Sequence, residues 1–404
     1  MRRSGALARQ SAAAVDNALA VALEVLRRAP VLDGHNDLAW VIQVDKEARG
    51  DVVAYDLTRV HEGADTDIPR LREGRVGAQF WAAFQPTNAP DPARTALEQI
   101  DLIRRMEEAH PDVFLPARRA QDYAKAKSEG KIASFIAVEG GAGLENSLSP
   151  LRIWHAAGVR LMTLCHNESL DWVDSATDAP RNGGLNAFGL AVIGELNRLG
   201  VVIDLAHASH EAMRRVLDVT EAPVALSHSN AYSLCDHPRN APDDVLRRLN
   251  ANRGLVMATF VPGFVSQPLR DWLRRSRDPY GKARPAADQK AQFSELEAKH
   301  GSAPKASLEQ VADHIVRLVE TAGLDHVGIG SDYFGGASPV GLEDVSRFPH
   351  LFAELVRRGF SERDLEKMSS GNMLRVLRRV EKVAKSLRKT RPPAIGRLDD
   401  YREP

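Results

Sequence analysis

Several features that would place a chain in a special class are scarce or missing in this sequence. Cys165 and Cys235 are the only cysteines among 404 residues, which excludes a disulfide framework and favours a reducing compartment. Lys plus Arg and Asp plus Glu are equal at 54 each, so no excess of positive charge points to nucleic acid or an anionic membrane. No apolar run approaches the ~20 residues of a membrane span. We therefore expect a cytoplasmic protein with neither kind of partner.

The rest of the composition is that of an ordinary globular protein, with 43% hydrophobic and 27% charged residues. The first 30 residues begin with basic side chains, as a secretion signal would. However, Arg9, Asp16 and Glu24 interrupt every apolar stretch, so no continuous hydrophobic segment is present there. We therefore expect residues 1–30 to form an N-terminal amphipathic helix that ends at Pro30.

Eight short apolar segments of strand length recur along the chain, separated by segments with a helical period. They are "PVLDGH", "VGAQFWAAF", "IASFIAVEGG", "VRLMTLCHN", "VVIDLAHAS", "PVALSHSN", "GLVMATFVPG" and "HVGIGSDYFGG". Continuous apolar strands that alternate with helices indicate a parallel sheet covered on both faces. Eight such units favour an α/β fold of the (β/α)8 TIM barrel type over an open doubly wound sheet. No Gly-rich phosphate fingerprint follows the first strand, which argues against dinucleotide binding.

The spacing of the strands predicts where the barrel begins, ends and is interrupted. We place the barrel at residues 31–385. The segment at about 266–306 is polar and rich in turn residues, and it is too long for one connecting helix. We expect a helical excursion there, either a lid over the barrel or a solvated helix pair. Residues 386–404 lack apolar periodicity and should form a C-terminal tail, either loosely packed or an intersubunit arm.

Seven side chains of the types that bind metals or transfer protons follow six of the predicted strands. They are His35, Asp37, Glu139, His166, His207, His228 and Asp332. The carboxyl ends of the strands form the mouth of such a barrel, where active sites are built. Burying so many charges without a partner would be costly, and a cation in the mouth removes that cost. The sequence therefore predicts a metal centre.

The ligand types narrow the choice of metal. Imidazole and carboxylate without a required thiolate suit Zn, Mn, Co or Fe. A single tetrahedral ion cannot use this many residues and keep a water, so we expect two ions ~3.5–4 Å apart with a carboxylate between them. Glu139 comes from a strand between the two groups and is the expected bridge, while Gly140 and Gly141 after it allow close backbone approach. Cys165 should point away from the mouth, into the packing.

The ordered set of motifs resembles the membrane (renal) dipeptidase family of binuclear zinc peptidases. The segments that carry the resemblance are "DGHNDL", "AVEGG", "MTLCHN", "IDLAHAS", "LSHSNAYSLCDHPRNAPDDVL", "DHVGIGSDYFGG" and "GNMLRVL", and they extend from about residue 31 to 385. The resemblance implies a TIM barrel of the metallo-dependent hydrolase type. It also implies a soluble enzyme of the bacterial type that cleaves dipeptides, frequently with a D-residue at the C-terminal position, and often as a homodimer.

The same resemblance implies a role for each site residue. His35 and Asp37 bind one zinc ion, His207 and His228 bind the other, and Glu139 bridges the two. His166 binds substrate and stabilises the oxyanion, Arg239 pairs with the terminal carboxylate of the substrate, and Asp332 is the catalytic acid/base. Co²⁺ or Mn²⁺ are expected substitutes for Zn²⁺.

The sequence departs from the family pattern at two pocket positions. Phe334 replaces the second acidic residue of the usual Asp-Phe-Asp-Gly, and Val261 replaces a tyrosine of Asn-Phe-Tyr. Neither position is an expected metal ligand, so the departures concern the preference for particular dipeptides. Two other residues have two interpretations each. Trp172 either walls the pocket or packs a loop, and His237 either orients Arg239 or is an exposed turn residue, which is the expected case.

The sequence is compatible with three functions. In the first, a metal-bridging hydroxide attacks the peptide carbonyl of a dipeptide, a zinc ion and His166 hold the oxyanion, and Asp332 protonates the leaving amine. The second is a binuclear metal hydrolase of another amide, lactam, lactone or phosphoester bond, because the fold alone does not decide the reaction. The third is a metal-binding scaffold without catalysis, which would predict the loss of Asp332 or Glu139. Arg239 favours the first, since it suits a substrate with a free carboxylate.

Overall fold

Eight parallel strands close into a ring in the computed structural model, which describes residues 17–275 and 294–401. The described strands are β1 (Val31–Asn36), β2 (Val76–Phe84), β3 (Phe114–Pro116), β4 (Ile132–Glu139), β5 (Val159–Thr163), β6 (Val202–Asp204), β7 (Ala225–Leu226), β8 (Leu255–Ala258) and β9 (Val327–Ile329). Strands β1, β2, β4, β5, β6, β7, β8 and β9 pair in that order, and β9 pairs again with β1. The TIM barrel prediction is confirmed, and all eight predicted segments contribute a strand.

The ninth strand, β3, lies at the lower edge of the barrel and was not predicted. It pairs with residues 132–134 of β4, whereas β5 pairs with the same strand from Ile136 onward. Three residues are too few for the pattern of apolar and polar side chains to indicate a strand. Tertiary pairing alone therefore decides the conformation of this segment.

Helices surround the ring. They are α1 (17–28), α2 (Leu38–Val44), α3 (Val52–Tyr55), α4 (Ile68–Glu73), α5 (Pro92–Ala109), α6 (Ala120–Ser128), α7 (Ser149–Ala157), α8 (Ala187–Leu199), α9 (His210–Val219), α10 (Asp243–Asn252), α11 (Pro262–Val265), α12 (Gln267–Arg274), α13 (294–300), α14 (Leu308–Ala322), α15 (Phe348–Arg357), α16 (Glu362–Glu366) and α17 (Asn372–Thr390). Across the two described ranges, no helix combines the length and apolar character that crossing a membrane requires.

Local sequence signals explain where these helices begin. The Ser209 hydroxyl accepts a hydrogen bond from the backbone N–H of Ala212 and caps α9, whose apolar face packs on the barrel. Ser361 and Asp364 form a reciprocal capping box at α16. A π-helical turn, Lys367–Gly371, joins α16 to α17.

The floor of the site is apolar. Inside the barrel the buried side chains include Leu32, Phe80, Phe135 and Met257, and the same cluster continues to Met373 and Leu377 of α17. The rings of Phe80 and Phe135 stack with their centroids 4.9 Å apart. This packing fills the lower half of the barrel, so polar chemistry is confined to the carboxyl ends of the strands.

The two ends of the chain and the predicted excursion are described in part. Helix α1 buries four apolar side chains against the barrel, and residues 1–16 lie outside the described range. In the excursion, Trp272 of α12 packs with Leu296 of α13, and its Nε1–H donates to the Gly301 carbonyl at 3.1 Å. Residues 276–293 between these helices lie outside the described range. The role of this segment as a lid stays a prediction.

The C-terminal segment differs from the loosely packed alternative. Helix α17 continues beyond residue 385 to Thr390, and residues 398–401 form a 3₁₀ turn. The backbone N–H of Leu398 donates to the Asn146 carbonyl at 2.9 Å, and the Tyr401 ring lies 5.7 Å from that of Phe188. Residues 394–401 are held on the barrel because Leu398 and Tyr401 are apolar anchors that the periodicity of a helix or strand does not reveal.

Candidate metal centre and active site

Three imidazole rings converge on one carboxylate oxygen at the mouth of the barrel. The Oε1 atom of Glu139, at the end of β4, lies 3.2 Å from His207 Nε2 and 3.5 Å from both His35 Nε2 and His228 Nε2. All four side chains are nearly inaccessible to solvent. The structure therefore brings together four of the five predicted metal ligands around a single point, as the strand-end positions predicted.

The fifth predicted ligand lies on the same side as His35. Asp37 Oδ1 is 3.6 Å from His35 Nε2, and Asp332 Oδ1 is 4.0 Å from that nitrogen. Three groups of side chains have ligand atoms within 4.8 Å of one another: His35, Glu139 and His228; Glu139, His166 and His207; and His35, Asp37 and Asp332. Glu139 belongs to two of the groups, as a bridging carboxylate would. One group holds His35 with Asp37, the predicted pair for one ion, and the assignment of His207 and His228 to the other ion stays a prediction.

Unpaired nitrogen atoms indicate that a cation fits this centre. Within the described part of the chain, His35 Nε2 and His228 Nε2 are buried and have no hydrogen-bond partner. A buried polar atom without a partner is costly, and a metal ion removes the cost. The donor set of imidazole nitrogen and carboxylate oxygen suits Zn²⁺ and similar ions. The residues present therefore fit a divalent metal.

The protonation states of the centre also suit a cation. Burial lowers the pKa of His228 well below its usual value, and the pKa of His207 is lowered in the same way. Burial alone would raise the pKa of Glu139, but the neighbouring His35 and His207 hold it well below its usual range. For His35, burial is outweighed by Glu139 and Asp37, which raise its pKa. Neutral His207 and His228 beside an ionised Glu139 are the states that metal binding requires, whereas His35, with its raised pKa, has to release a proton when an ion binds.

Asp332 has the opposite electrostatic character. Burial raises its pKa to about 8; His35 opposes the shift, and the carboxylates of Asp37 and Glu139 add to it. A carboxyl group with this pKa carries a proton near neutral pH and can transfer it. The position next to β1 follows from the pairing of β9 with β1, which the closed barrel predicted.

The backbone is strained at two of the site residues. His207 and Asp332 both have φ near 65°, a left-handed conformation that residues other than glycine rarely adopt. Phe334 follows with φ 71°. Such conformations persist where the surrounding structure holds them, and they concentrate at active sites. From these positions His207 Nε2 lies 3.2 Å from Glu139 Oε1, and Asp332 Oδ1 lies 4.0 Å from His35 Nε2.

Arg239 lies beside the centre and is almost completely buried. Its guanidinium carbon is 5.3 Å above the Phe264 ring, and its Nη2 atom donates to the His228 carbonyl at 3.4 Å. Among the described residues, no hydrogen-bond acceptor meets its Nε or Nη1 atom. Burial lowers the pKa of Arg239, and the charges of Asp332 and Glu139 counteract the shift most strongly. A buried cation with two free donors is suited to an anionic ligand.

His237 corrects one expectation. It was expected to be an exposed turn residue, but it is only 6% exposed. Its Nδ1 accepts the backbone N–H of Arg239 at 3.2 Å, and its ring lies 4.3 Å from Phe264. The loop therefore folds back over Arg239, a long-range packing that the local turn signals do not contain.

An aromatic wall borders the other side of the centre. The His166 ring lies 4.3 Å from the His207 ring and 4.7 Å from that of Phe84, and Trp40 contacts Phe84 edge-on at 5.1 Å. Burial lowers the pKa of His166. Trp172 is 1% exposed, and its ring lies 6.2 Å from that of Phe188, so it packs its loop. Cys165 is buried away from the ligand atoms, as predicted.

A layer of hydrogen bonds below the ligands was not predicted. Asp33 of β1 accepts hydrogen bonds from Ser331, and Asp204 of β6 accepts them from Ser227. Each serine immediately precedes a site residue, Asp332 or His228. A sequence signal existed for both contacts. A serine directly precedes a site residue in "SH" and "SD", and an aspartate precedes a site histidine in "DGH" and "DLAH".

Comparisons with known proteins identify the family of this chain. The family model described as membrane dipeptidase (peptidase family M19) matches residues 19–391. Dipeptidase aclJ of Aspergillus oryzae is 38% identical over 384 residues, which cover 91% of this chain and 82% of that protein. The crystal structure of the probable dipeptidase PvdM from Pseudomonas aeruginosa is 26% identical, with a TM-score of 0.79, and covers 91% of this chain and 100% of that one.

A more distant structure shares the fold. The metallo peptidase from Rhodobacter sphaeroides, liganded with a phosphinate mimic of the dipeptide L-Ala-D-Ala, is 22% identical with a TM-score of 0.71. The alignment covers 87% of this chain and 99% of that one. The family model extends over nearly the whole barrel. The dipeptidase of Aspergillus oryzae is similar enough in sequence, over most of both chains, to belong to the same family. This chain belongs to the membrane dipeptidase family, peptidase family M19, whose members hydrolyse peptide bonds.

Proposed function

We propose that this protein is a zinc-dependent dipeptidase that uses two metal ions and the free carboxylate of its substrate. His35, Asp37, Glu139, His207 and His228 would hold the ions, with Glu139 shared. Two divalent ions held there would supply Lewis acidity to the scissile carbonyl and an activated water. The observation that carries the proposal is the buried Arg239, which offers two unpaired donors beside the converging ligands.

The other site residues have separate tasks in this proposal. Arg239 binds the terminal carboxylate of the dipeptide and so fixes the peptide bond over the centre. His166 donates a hydrogen bond to the carbonyl oxygen as negative charge develops on it. Asp332 gives its proton to the amine that leaves, so that the C-terminal amino acid departs as a neutral amine. The aromatic rings of Phe84 and Trp40 keep water from one side of the site.

The family and the site together support a small substrate. A carboxylate held by Arg239 lies one residue beyond the bond that is cleaved, which a longer peptide could not provide. The metallo peptidase from Rhodobacter sphaeroides is liganded with a phosphinate mimic of the dipeptide L-Ala-D-Ala, which has the size of the substrate that we propose here. The homodimer and the cytoplasmic location expected from the sequence remain predictions.

The test is a substrate panel measured with the metal content. We expect cleavage of L-L or L-D dipeptides by the purified protein, loss of activity with a chelator, and recovery with Zn²⁺, Co²⁺ or Mn²⁺. Tripeptides and C-terminally amidated dipeptides should be poor substrates. Efficient cleavage of either would contradict the role of Arg239. Turnover of lactams or lactones but not of dipeptides would favour the alternative, a binuclear hydrolase of another bond.

A further inference from the structure

Two aspartate–serine pairs have the same geometry at two places in the barrel. In the first, the Oδ1 atom of Asp33 accepts the backbone N–H of Ser331 at 2.7 Å, and its Oδ2 atom accepts the Ser331 hydroxyl at 2.6 Å. In the second, Asp204 accepts the backbone N–H of Ser227 at 2.8 Å and the Ser227 hydroxyl at 2.6 Å. All four residues are almost completely inaccessible to solvent. We call these pairs the β1–β9 clamp and the β6–β7 clamp.

The clamps differ in what the serine touches next. The Ser227 hydroxyl oxygen also lies 2.7 Å from Nδ1 of His228. The Ser331 hydroxyl contacts the carbonyl oxygen of His35 at 3.3 Å, and no imidazole ring. Nδ1 of His35 and Nδ1 of His207 have no hydrogen-bond partner among the described residues. Of the three predicted imidazole ligands, His228 is the one whose second ring nitrogen is held by a clamp.

The Ser227 hydroxyl lies between Asp204 and His228 and has one proton, and this determines the tautomer of His228. A serine hydroxyl has one proton, and the carboxylate of Asp204 at 2.6 Å can only accept it. The oxygen of Ser227 must then accept from His228, so the proton of the neutral ring is on Nδ1. Thr163 donates its own hydroxyl to the same Asp204 oxygen at 2.6 Å, so that oxygen accepts from two hydroxyl groups. Nε2 is left without a proton, 3.5 Å from Glu139 Oε1.

We propose that Asp204 and Ser227 are positioning residues of the metal centre, which act through His228 by fixing the ring orientation and the tautomer that leaves Nε2 free for an ion. The proposal rests on the assignment of His228 as a ligand in the proposed function. Histidine ligands commonly donate their other N–H to a carboxylate or another acceptor, and such partners are worth about 10–100-fold in metal affinity. Here a serine relays the contact to a buried aspartate.

The experiment compares matched serine substitutions. Ser227→Ala removes the hydroxyl that touches His228, and Ser331→Ala removes the equivalent hydroxyl of the β1–β9 clamp. Each variant is stripped of metal and titrated with Co²⁺, with visible absorption as the readout and a competing chelator to measure affinity. We expect Ser227→Ala to bind one of two ions about 10–100-fold more weakly. Ser331→Ala should bind both ions with the affinity of the wild type.

The tautomer itself is measured in the metal-free wild type. Nitrogen-15 NMR of histidine-labelled protein should show His228 protonated on Nδ1, with the signal identified by its loss in His228→Asn. Wild-type protein with the proton on Nε2 would overturn the proposal, and this measurement does not depend on the folding of Ser227→Ala. Equal affinities of the two serine variants would also overturn it. A wild type that binds fewer than two ions would instead contradict the proposed function.

Discussion

Gly335 lies directly against the carboxylate of Asp332. A β-carbon built on Gly335 would be 2.0 Å from Asp332 Oδ1 and 2.7 Å from its Cγ, whereas one on Gly336 would meet Val261 Cγ1 at an ordinary 3.6 Å. Asp332 itself has a left-handed backbone, with φ 65°. The position of the proposed proton donor thus depends on a residue that has no side chain.

The two adjacent glycines give a matched pair of variants. Gly335→Ala should displace the Asp332 carboxylate and lower kcat by about 10²-fold, the usual cost of a misplacement of ~1 Å. Gly336→Ala should retain nearly the activity of the wild type. Steady-state kinetics with a dipeptide and metal analysis of both variants make the comparison. Equal activities would show that Asp332 can move without loss of function.

Asp332→Asn separates catalysis from metal binding. The asparagine keeps the shape of the side chain but cannot transfer a proton, so kcat should fall by about 10²–10⁴-fold. Metal content and KM should stay close to those of the wild type. If the variant loses metal and regains full rate in excess zinc, Asp332 is a ligand and not the proton donor.

Glu139→Gln tests the bridging carboxylate. Three imidazoles lie within 3.5 Å of its Oε1 atom, so a neutral amide there removes the negative charge that two ions share. At least one ion should be lost, and activity should fall by more than about 10²-fold, because outer-shell partners alone are worth about 10–100-fold. Metal analysis after dialysis gives the stoichiometry. Two tightly bound ions with wild-type turnover would exclude the bridge.

Arg239→Met should separate substrate binding from stability. Without the guanidinium, the terminal carboxylate of the substrate loses its partner in a charge pair. KM should therefore rise about 30-fold or more, with a smaller effect on kcat. The substrate-free protein should melt at a higher temperature than the wild type, because a buried charge without a carboxylate partner is replaced by an apolar chain of similar length. Kinetics and thermal denaturation of the same preparation test both effects. A lower melting temperature would indicate that Arg239 is mainly structural.

Glu107 predicts a pH dependence of stability far from the metal centre. Burial raises its pKa from 4.5 to about 7. A raised carboxyl pKa means that the folded state prefers the protonated form, so the associated stability is present below pH ~4.5 and is lost as the pH rises through about 7. Glu107→Gln should therefore match the wild type at pH 4.5 and be more stable by about 1–3 kcal/mol at pH 8. Denaturation curves at both pH values measure this.

The control for Glu107 is its exposed neighbour on the same helix. Glu108→Gln should change stability by less than about 0.5 kcal/mol at either pH, as is usual for surface substitutions. If both variants change the stability equally at pH 8, the pH dependence comes from the net charge of the helix. The burial of Glu107 would then not be the cause of the pH dependence.

The barrel and the convergence of the candidate ligands were predictable because both follow from patterns within single strands. Each strand carries its own apolar run, and the ligands follow the strand ends at positions that the fold brings together. The β6–β7 clamp was not predicted, because Asp204 and Ser227 are ordinary residues at strand ends and only the folded barrel shows which serine each aspartate contacts. The burial of His237 and the pairing of β3 likewise depend on distant contacts.

The pairing of β9 with β1 brings together two parts of the site that come from the first and the last strand of the barrel. His35 and Asp37 leave the ribosome long before Asp332, and the β1–β9 clamp cannot form until Ser331 has followed. A nascent chain therefore has histidines and carboxylates able to bind metal before it has a barrel to hold them in place. The candidate ligands meet only in the closed ring, so the two-ion centre that we propose requires β9 to have paired with β1. A chain that ended ahead of Ser331 would lack both Asp332 and the serine of the β1–β9 clamp.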